Sequence, residues 1–435
     1  LELKVAELEK MNRLAGRTLW VPRMSYSAAR LFSAVFRSVG VNARECEDSD
    51  ERTLELGALH TSGEECYPAK ITMGDFLRIV DSPDFDSSKH AFFMPTANGP
   101  CRFGQYSPYL QKLLRDMGYG DVPVISPTSE NGYDGMTDGT KSRVEMTRSL
   151  WRGIVCGDLL LKMLLKTRPY ERTAGDADMA FEAALARVEK VLETPGLSAG
   201  KRLQKLATAM SLSRDDFRRV PAKYTKDRPL IGVVGEIFCR MNTFSNYDAC
   251  RQIEAHGGEC WLSDICEWVW YTNWSQKEKL KRDRKVFSLE SLAAVVRNKV
   301  QRSDESALAA SFADDFVGYE EPHDIYEDVL KKSWPYLPAD SALGEMTLSA
   351  GKSIYLYEKG ADGIIDISPF GCMNGIVTEA VYHDISADCD EIPIRNFYFD
   401  ATTSNLQRDL DIFMALARSY RTRKTQKRVY PNFFE

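Results

Sequence analysis

Between Ser27 and Val39 apolar residues recur at Leu31, Val35 and Val39, with Ala28, Phe32 and Phe36 beside them, which is the spacing of one helix face. The preceding Arg17-Thr-Leu-Trp-Val-Pro22 has the apolar run of a strand entering a loop. The same order returns in His90-Ala-Phe-Phe-Met-Pro95 as a strand, Ser107 to Met117 as a helix and Val122-Pro-Val-Ile-Ser126 as a strand. Strands alternating with helices predict a parallel α/β sheet. From about Lys141 to Phe217 strand patterns vanish, and Phe181, Leu185, Val188 and Leu192 keep the helical period. The alternation resumes at Pro229-Leu-Ile-Gly-Val-Val-Gly235, with a helix from Asn246 to His256 and a strand near Cys260-Trp-Leu. Gly363-Ile-Ile-Asp-Ile367, Ile394-Arg-Asn-Phe-Tyr-Phe399 and a helix from Ser404 to Tyr420 complete the pattern.

The expected architecture is α/β, with two Rossmann-like parallel-sheet domains and a helical segment between them. The boundaries read as 1–16 for a charged helix or linker, 17–140 for the first α/β domain, 141–228 for the helical segment and 229–435 for the second α/β domain. A helical insertion is expected at about 276–357. The chain begins at Leu1 without a Met, which fits an interior point of a longer product. Ligands of such sheets bind outside the carboxyl ends of the strands, so the loops that follow strands hold the candidate residues.

Composition narrows the function classes. With 43% hydrophobic and 28% charged residues the chain is expected to fold around a sizeable core. No window approaches the ~18 consecutive apolar residues of a membrane span. The most apolar run, Leu159 to Leu165, is broken by Lys162. The first residues have no apolar core and no small-residue cleavage site, so a cytoplasmic location is expected. A formal charge of −6 argues against a nucleic-acid partner.

The ten cysteines contain no CxxC pair. Three of them share a context. Cys101 lies in Met94-Pro-Thr-Ala-Asn-Gly-Pro-Cys-Arg-Phe-Gly104, between a strand and a helix, in a loop whose Gly and Pro residues hold it open. Cys372 lies in Ile367-Ser-Pro-Phe-Gly-Cys-Met-Asn-Gly375, again between strand and helix. Cys66 precedes Tyr67-Pro68, with Pro68 in the first turn of a helix running to Val80. A thiol at a positive helix N-terminus suits a thiolate ligand. Three such thiolates would select an iron–sulfur cluster, zinc or copper. An inert thiol in a tight turn is the competing reading for each one taken singly.

Cys66-Tyr-Pro-Ala-Lys70, Gly99-Pro-Cys-Arg-Phe-Gly-Gln-Tyr106, Arg168-Pro-Tyr-Glu171, Gly235-Glu-Ile-Phe238 with Asn246, and Pro369-Phe-Gly-Cys-Met373 occur in this order. Together, over about Arg17 to Arg418, they resemble the 2-hydroxyacyl-CoA dehydratase superfamily, and within it most closely the activase-related proteins that include the double-cubane cluster proteins. The resemblance implies that Cys66, Cys101 and Cys372 ligate an iron–sulfur cofactor, either a four-iron cubane or a sulfide-bridged double cubane of eight irons and nine sulfides. It also implies a separate ATP-hydrolysing activator as electron donor, a small-molecule substrate and a reductive activity. A 2-hydroxyacyl-CoA lyase subunit, or an electron-relay or scaffold domain of a larger activase fusion, are the alternatives. Two copies would supply six thiolates, so a homodimer is expected. Asn374 stands where relatives often have Pro.

Other residues are expected to play lesser parts. Gly351-Lys-Ser353 and Gly139-Thr-Lys-Ser142 lack the spacing of a phosphate loop and read as ordinary loops. Glu236 and Asn246 read as packing and capping residues, with a place beside the cofactor as the alternative. Arg168 and Glu171 read as an ion pair. Lys70 and Arg102 would offset cluster charge, donate protons or face solvent. Lys277 to Lys285 reads as a solvated helix face or an acidic partner's surface. The five His residues show no ligand spacing, and the other seven cysteines read as structural.

Overall fold

The computed structural model describes residues 14–97, 99, 101–127, 139–339, 344–402 and 406–435. The charged N-terminal helix expected over 1–15, and Asn98 and Pro100 of the Cys101 loop, fall wholly or largely outside them. The chain is α/β with two four-stranded, all-parallel sheets. It divides into two compact units, Leu1–Gly157 with Leu185–Leu206, and Asp158–Ala184 with Ala207–Glu435.

In unit 1, β1 (Thr18–Val21) is followed by α1 (Tyr26–Ser38), β2 (Ala43–Glu45), α2 (Glu51–Leu59), α3 (Tyr67–Val80), β3 (His90–Phe93), α4 (Tyr106–Asp116) and β4 (Val124–Ile125). The strand order is β2-β1-β3-β4, so the direction of sheet growth reverses between β1 and β3. Phe76 of α3 packs on Phe92 of β3 with ring centroids 4.8 Å apart, inside a core that also holds Met73, Leu110 and Leu114. Short β2 and helix α2 left no clear periodic signal in the sequence. Helix α2 opens on a reciprocal cap, in which the Thr53 N–H donates to Asp50 Oδ1 at 2.9 Å and the Asp50 N–H to Thr53 Oγ1 at 3.2 Å.

Helices α2 and α3 approach backbone to backbone. A Cβ on Gly74 would lie 1.9 Å from the Thr53 carbonyl oxygen, and one on Gly57 would lie 2.0 Å from that of Lys70. Asp75 lies at the same interface, almost wholly buried, and accepts from the hydroxyls of Ser49 and Thr53, both at 3.2 Å. This packing sets the start of α3, and so the place of Cys66.

Helices α5 (Gly139–Thr167), α6 (Asp176–Glu193) and α7 (Ala199–Arg219) occupy the stretch read as a helical segment. They are divided between the two units. Gly139-Thr-Lys-Ser142 opens α5 and is helical rather than a loop.

Unit 2 carries β5 (Leu230–Gly235), α8 (Ile237–Met241), α9 (Ala249–Ala255), β6 (Glu259–Leu262), α10 (Cys266–Arg282), α11 (Leu289–Ala309), α12 (Gly344–Glu358), β7 (Gly363–Pro369), α13 (Met373–Asp388), β8 (Ile394–Phe399) and α14 (Leu406–Arg423). The order β6-β5-β7-β8 reverses between β5 and β7. All residues of β5 and β7 are buried, as sheets covered on both faces require. Helix α9 starts later than the sequence predicts, because Tyr247 and Asp248 adopt positive φ (53° and 52°). Asn246 braces that turn, accepting from the Ala249 N–H at 3.1 Å and donating to the Cys239 carbonyl at 2.7 Å. Among the described residues, no helix is long and apolar enough to cross a membrane.

Two expectations are corrected here. Arg168 does not pair with Glu171: it forms a two-pronged contact with Glu254, at 2.7 and 2.9 Å, and reaches Asp178 at 3.2 Å. Glu171 instead accepts from the N–H groups of Gly175 and Ala177 at 3.0 and 2.8 Å, where α6 begins. Gly351-Lys-Ser353 is not a loop but the interior of α12. Its Gly351 backs onto the Val329 carbonyl, and Lys352 is fully buried, with Nζ 2.6 Å from Glu321 and 3.2 Å from Glu267.

Gly74→Ala is expected to destabilise the protein by about 1–3 kcal/mol in a denaturant titration, since the added methyl forces α2 and α3 apart. Burial pushes the Asp75 carboxyl up to about 7, against the hydrogen bonds from Ser49 and Thr53. The folded chain therefore binds this proton more tightly than the unfolded one, and stability is lost as pH rises from the ordinary carboxyl range through about 7. Asp75→Asn should flatten that part of the stability–pH curve measured by thermal melts.

Candidate functional site

The three singled-out cysteines occupy one structural position. Cys66 is the N-cap of α3, Cys101 the N-cap of the 3-10 turn Arg102–Gln105 that leads into α4, and Cys372 the N-cap of α13. All three have extended backbones, with φ of −66°, −66° and −75°, and none of the three side chains caps its own helix. Ser, Thr, Asp or Asn usually fills this position and accepts from the first-turn N–H groups. A cysteine there leaves those donors turned toward an added acceptor, in a field that favours negative charge.

Exposure separates these thiols from six of the other seven. Cys101 is exposed and Cys66 and Cys372 are half-buried, whereas Cys46, Cys156, Cys239, Cys260, Cys266 and Cys389 are buried and Cys250 is half-buried. Burial pushes the thiols of Cys46, Cys156, Cys260 and Cys266 well up, and that of Cys389 up to about 11. Those five remain protonated at neutral pH and suit a packing role.

Topology places two of the three at points where ligands collect. Cys101 follows β3 and Cys372 follows β7, each the strand just across the reversal point of its sheet. Within unit 1 the loops of Cys66 and Cys101 lie side by side: Arg102 donates to the Glu64 carbonyl at 3.2 Å, and Cys66 Sγ is 2.8 Å from the Tyr106 hydroxyl. A cavity of about 410 Å³ opens beside Cys66, lined among others by Ala69, Arg102, Tyr106, Tyr109 and Lys112. Arg102 thus serves the loop backbone as well as the cavity wall. Cys372 belongs to unit 2. Among the described residues, no group of three or more His, Cys, Asp or Glu side chains gathers to hold a metal ion.

At the carboxyl edge of unit 2, Gly235 has φ 115°, and a Cβ there would lie 2.1 Å from the Ile367 carbonyl oxygen. The turn that only glycine allows delivers Glu236 to the N-terminus of α8, where it accepts from the N–H groups of Phe238 and Cys239 at 3.0 and 2.8 Å. The capping role expected of Glu236 is therefore present. Glu345, at the start of α12, accepts from the neighbouring Ile237 N–H at 3.0 Å. Sequence reasoning missed Glu345, since more than a hundred residues separate it from Glu236 and no local pattern joins them. Beneath this edge Asp366 is fully buried, accepting from the hydroxyls of Ser368, Thr378 and Tyr382 at 2.8, 2.9 and 2.6 Å. Ser368 in turn accepts from the Asn374 amide at 3.1 Å. Asn374 thereby fixes the first turn of α13 to β7, a link that Pro could not make.

No protein-family model matches the chain, and none of the curated proteins compared with it matches.

Differential alkylation checks the partition of thiols. In the native protein Cys66, Cys101 and Cys372 should label first with a small maleimide, and the six buried cysteines only after unfolding, as read by peptide mass spectrometry.

Proposed function

We propose that this chain is an iron–sulfur protein akin to the 2-hydroxyacyl-CoA dehydratases and their double-cubane relatives, which takes low-potential electrons from an ATP-hydrolysing activator and reduces a small molecule. The observation that carries this reading is that Cys66, Cys101 and Cys372 each take a helix N-cap without capping it, while six of the other seven cysteines are buried. The donor set fits the cofactor: the three positions offer soft sulfur at helix N-caps, exposed or half-buried, where the field of the helix end favours a thiolate. When bound, the cluster supplies one-electron transfer and an open iron corner. The chain's own residues do the rest. The Tyr106 hydroxyl orients the Cys66 sulfur, and Ala69, Tyr106 and Tyr109 shape an apolar-walled space beside it. Asn374 holds the Cys372 turn against β7.

ATP hydrolysis is assigned to a partner. The one lysine in a phosphate-loop-like tripeptide with described side chains, Lys352, is committed to Glu321 and Glu267 inside α12. Three thiolates leave one corner of a cubane over, and two copies of the chain would supply six, which favours a homodimer.

Anaerobic reconstitution tests the reading. Iron and sulfide should bind with a brown visible spectrum, and Cys66→Ala, Cys101→Ala and Cys372→Ala should each sharply lower iron content while Cys156→Ala does not. A colourless, iron-free product sinks the proposal. In the dimer, about nine sulfides per eight irons marks a bridged double cubane and about eight marks separate clusters. Calorimetry with Mg-ATP should show no binding to the isolated chain.

A further inference from the structure

The carboxyl edge of unit 2 holds two carboxyls on one short stretch of backbone. Glu345 takes the N–H of Ile237, and Glu236 takes those of Phe238 and Cys239, so three successive donors bring the two side chains together. They come from different elements, one from the β5–α8 turn and one from α12. Both residues are half-buried, with their carboxyls pressed among protein atoms. The position is the reversal point between β5 and β7, where open parallel sheets bind ligands. The titratable and charged groups that act on the pair include Arg240 and the Cys239 thiol on α8 and Asp366 on β7. Arg240 is almost wholly buried and spends two of its nitrogens on the carbonyls of Gly235 and Asp264, at 2.8 and 3.0 Å.

We propose that Glu236 and Glu345 share one proton and form the proton donor for a small molecule bound at this edge. Two carboxyls so placed resist ionising together, and the Arg240 guanidinium is turned largely to backbone. Burial, then the charge of Glu236, pushes Glu345 up to about 8, and burial also raises Glu236 against its two N–H contacts. The electron side of the reaction rests on the function proposed above. On that reading the ATP-hydrolysing activator supplies the electron to this chain, which passes it to the small molecule. One carboxyl O–H bond of the pair then breaks, its proton passes to the atom that took the electron, and the bonding electrons stay on the carboxylate. The doubly ionised pair recovers a proton from water.

Infrared difference titration of the metal-free full chain tests this without any cofactor. At neutral pH a protonated carboxyl band should be present, vanish in a step near pH 8 and shift at once on transfer to heavy water. Glu345→Gln keeps the acceptor for the Ile237 N–H, so its melting temperature should stay close to wild type, whereas Glu236→Gln keeps one of its two acceptors and should melt somewhat lower. In each the step near pH 8 is lost, while the Asp75 step near 7 remains. A wild type with both carboxyls ionised at neutral pH, or a band that does not exchange, overturns the proposal. In reconstituted protein the reduction potential should fall with rising pH in wild type and be flat in Glu345→Gln; a slope unchanged in both variants overturns it too. A chain that takes up no iron sinks the function proposed above and leaves the infrared titration to decide this one.

Discussion

Unit 2 is organised by a contact between two main chains. Gly235 ends β5 so close to Ile367 of β7 that no side chain fits between them, and the Glu236 N–H closes the contact by donating to the Ile367 carbonyl at 2.8 Å. That bond holds β5 and β7 in parallel register from Ile231 with Gly363 to Gly235 with Ile367. It also fixes where each strand stops. Once β5 turns at Gly235, Glu236 can only enter the first turn of α8, and once β7 runs on to Pro369 the next residues carry Cys372 to the start of α13. Any side chain at position 235 would therefore disturb the carboxyl pair and the cysteine loop together.

The cysteines obey the same logic of strand ends. A thiol within a strand or the middle of a packed helix, such as Cys156 or Cys260, loses its solvation and is held in the neutral form. A thiol at an N-cap keeps solvent contact and gains the field of the helix end. The Cys66 position adds a backbone constraint of its own, because Gly57 and Gly74 let α2 and α3 touch. That close approach decides where α3 can start, and with it where the sulfur lies against Tyr106.

The parallel sheets were legible because β5 and β7 are fully buried and rich in Ile, Leu and Val, and because α1 and α4 keep one apolar face. The cysteine positions were legible through Pro68 and the Gly-Pro loops, which announce a helix start. Less could be read where the determinant lies far away in sequence. Arg168 has Glu171 three residues on, yet its partner is Glu254, because the 3-10 turn at Arg168–Tyr170 faces the guanidinium toward α9 and leaves Glu171 to cap α6. Lys352 sits in a tripeptide that hints at phosphate binding, and only burial beside Glu321 shows it to be a core cation. Glu345 was silent for the same reason.

Glu321 and Glu345 show what the surroundings decide for carboxyls pressed into one fold. Burial raises Glu321, but Lys162 and Lys352 outweigh it and hold the group below the usual carboxylate range. Lys352 lies 2.6 Å away, and Lys162 makes a second ion pair. Glu345 meets backbone N–H, Arg240 and another carboxyl, and is pushed the other way. A charged network such as that of Glu321 changes little across neutral pH and serves to hold elements together. The Glu236–Glu345 pair gains and loses a proton in that range, and above it the two charges repel, so it weakens the fold where a lysine or an amide would not. The acid pair thus stands at the reversal point of its sheet, beside a backbone turn only glycine allows, where it adds no stability to the fold, which is what the proposed proton donor would require.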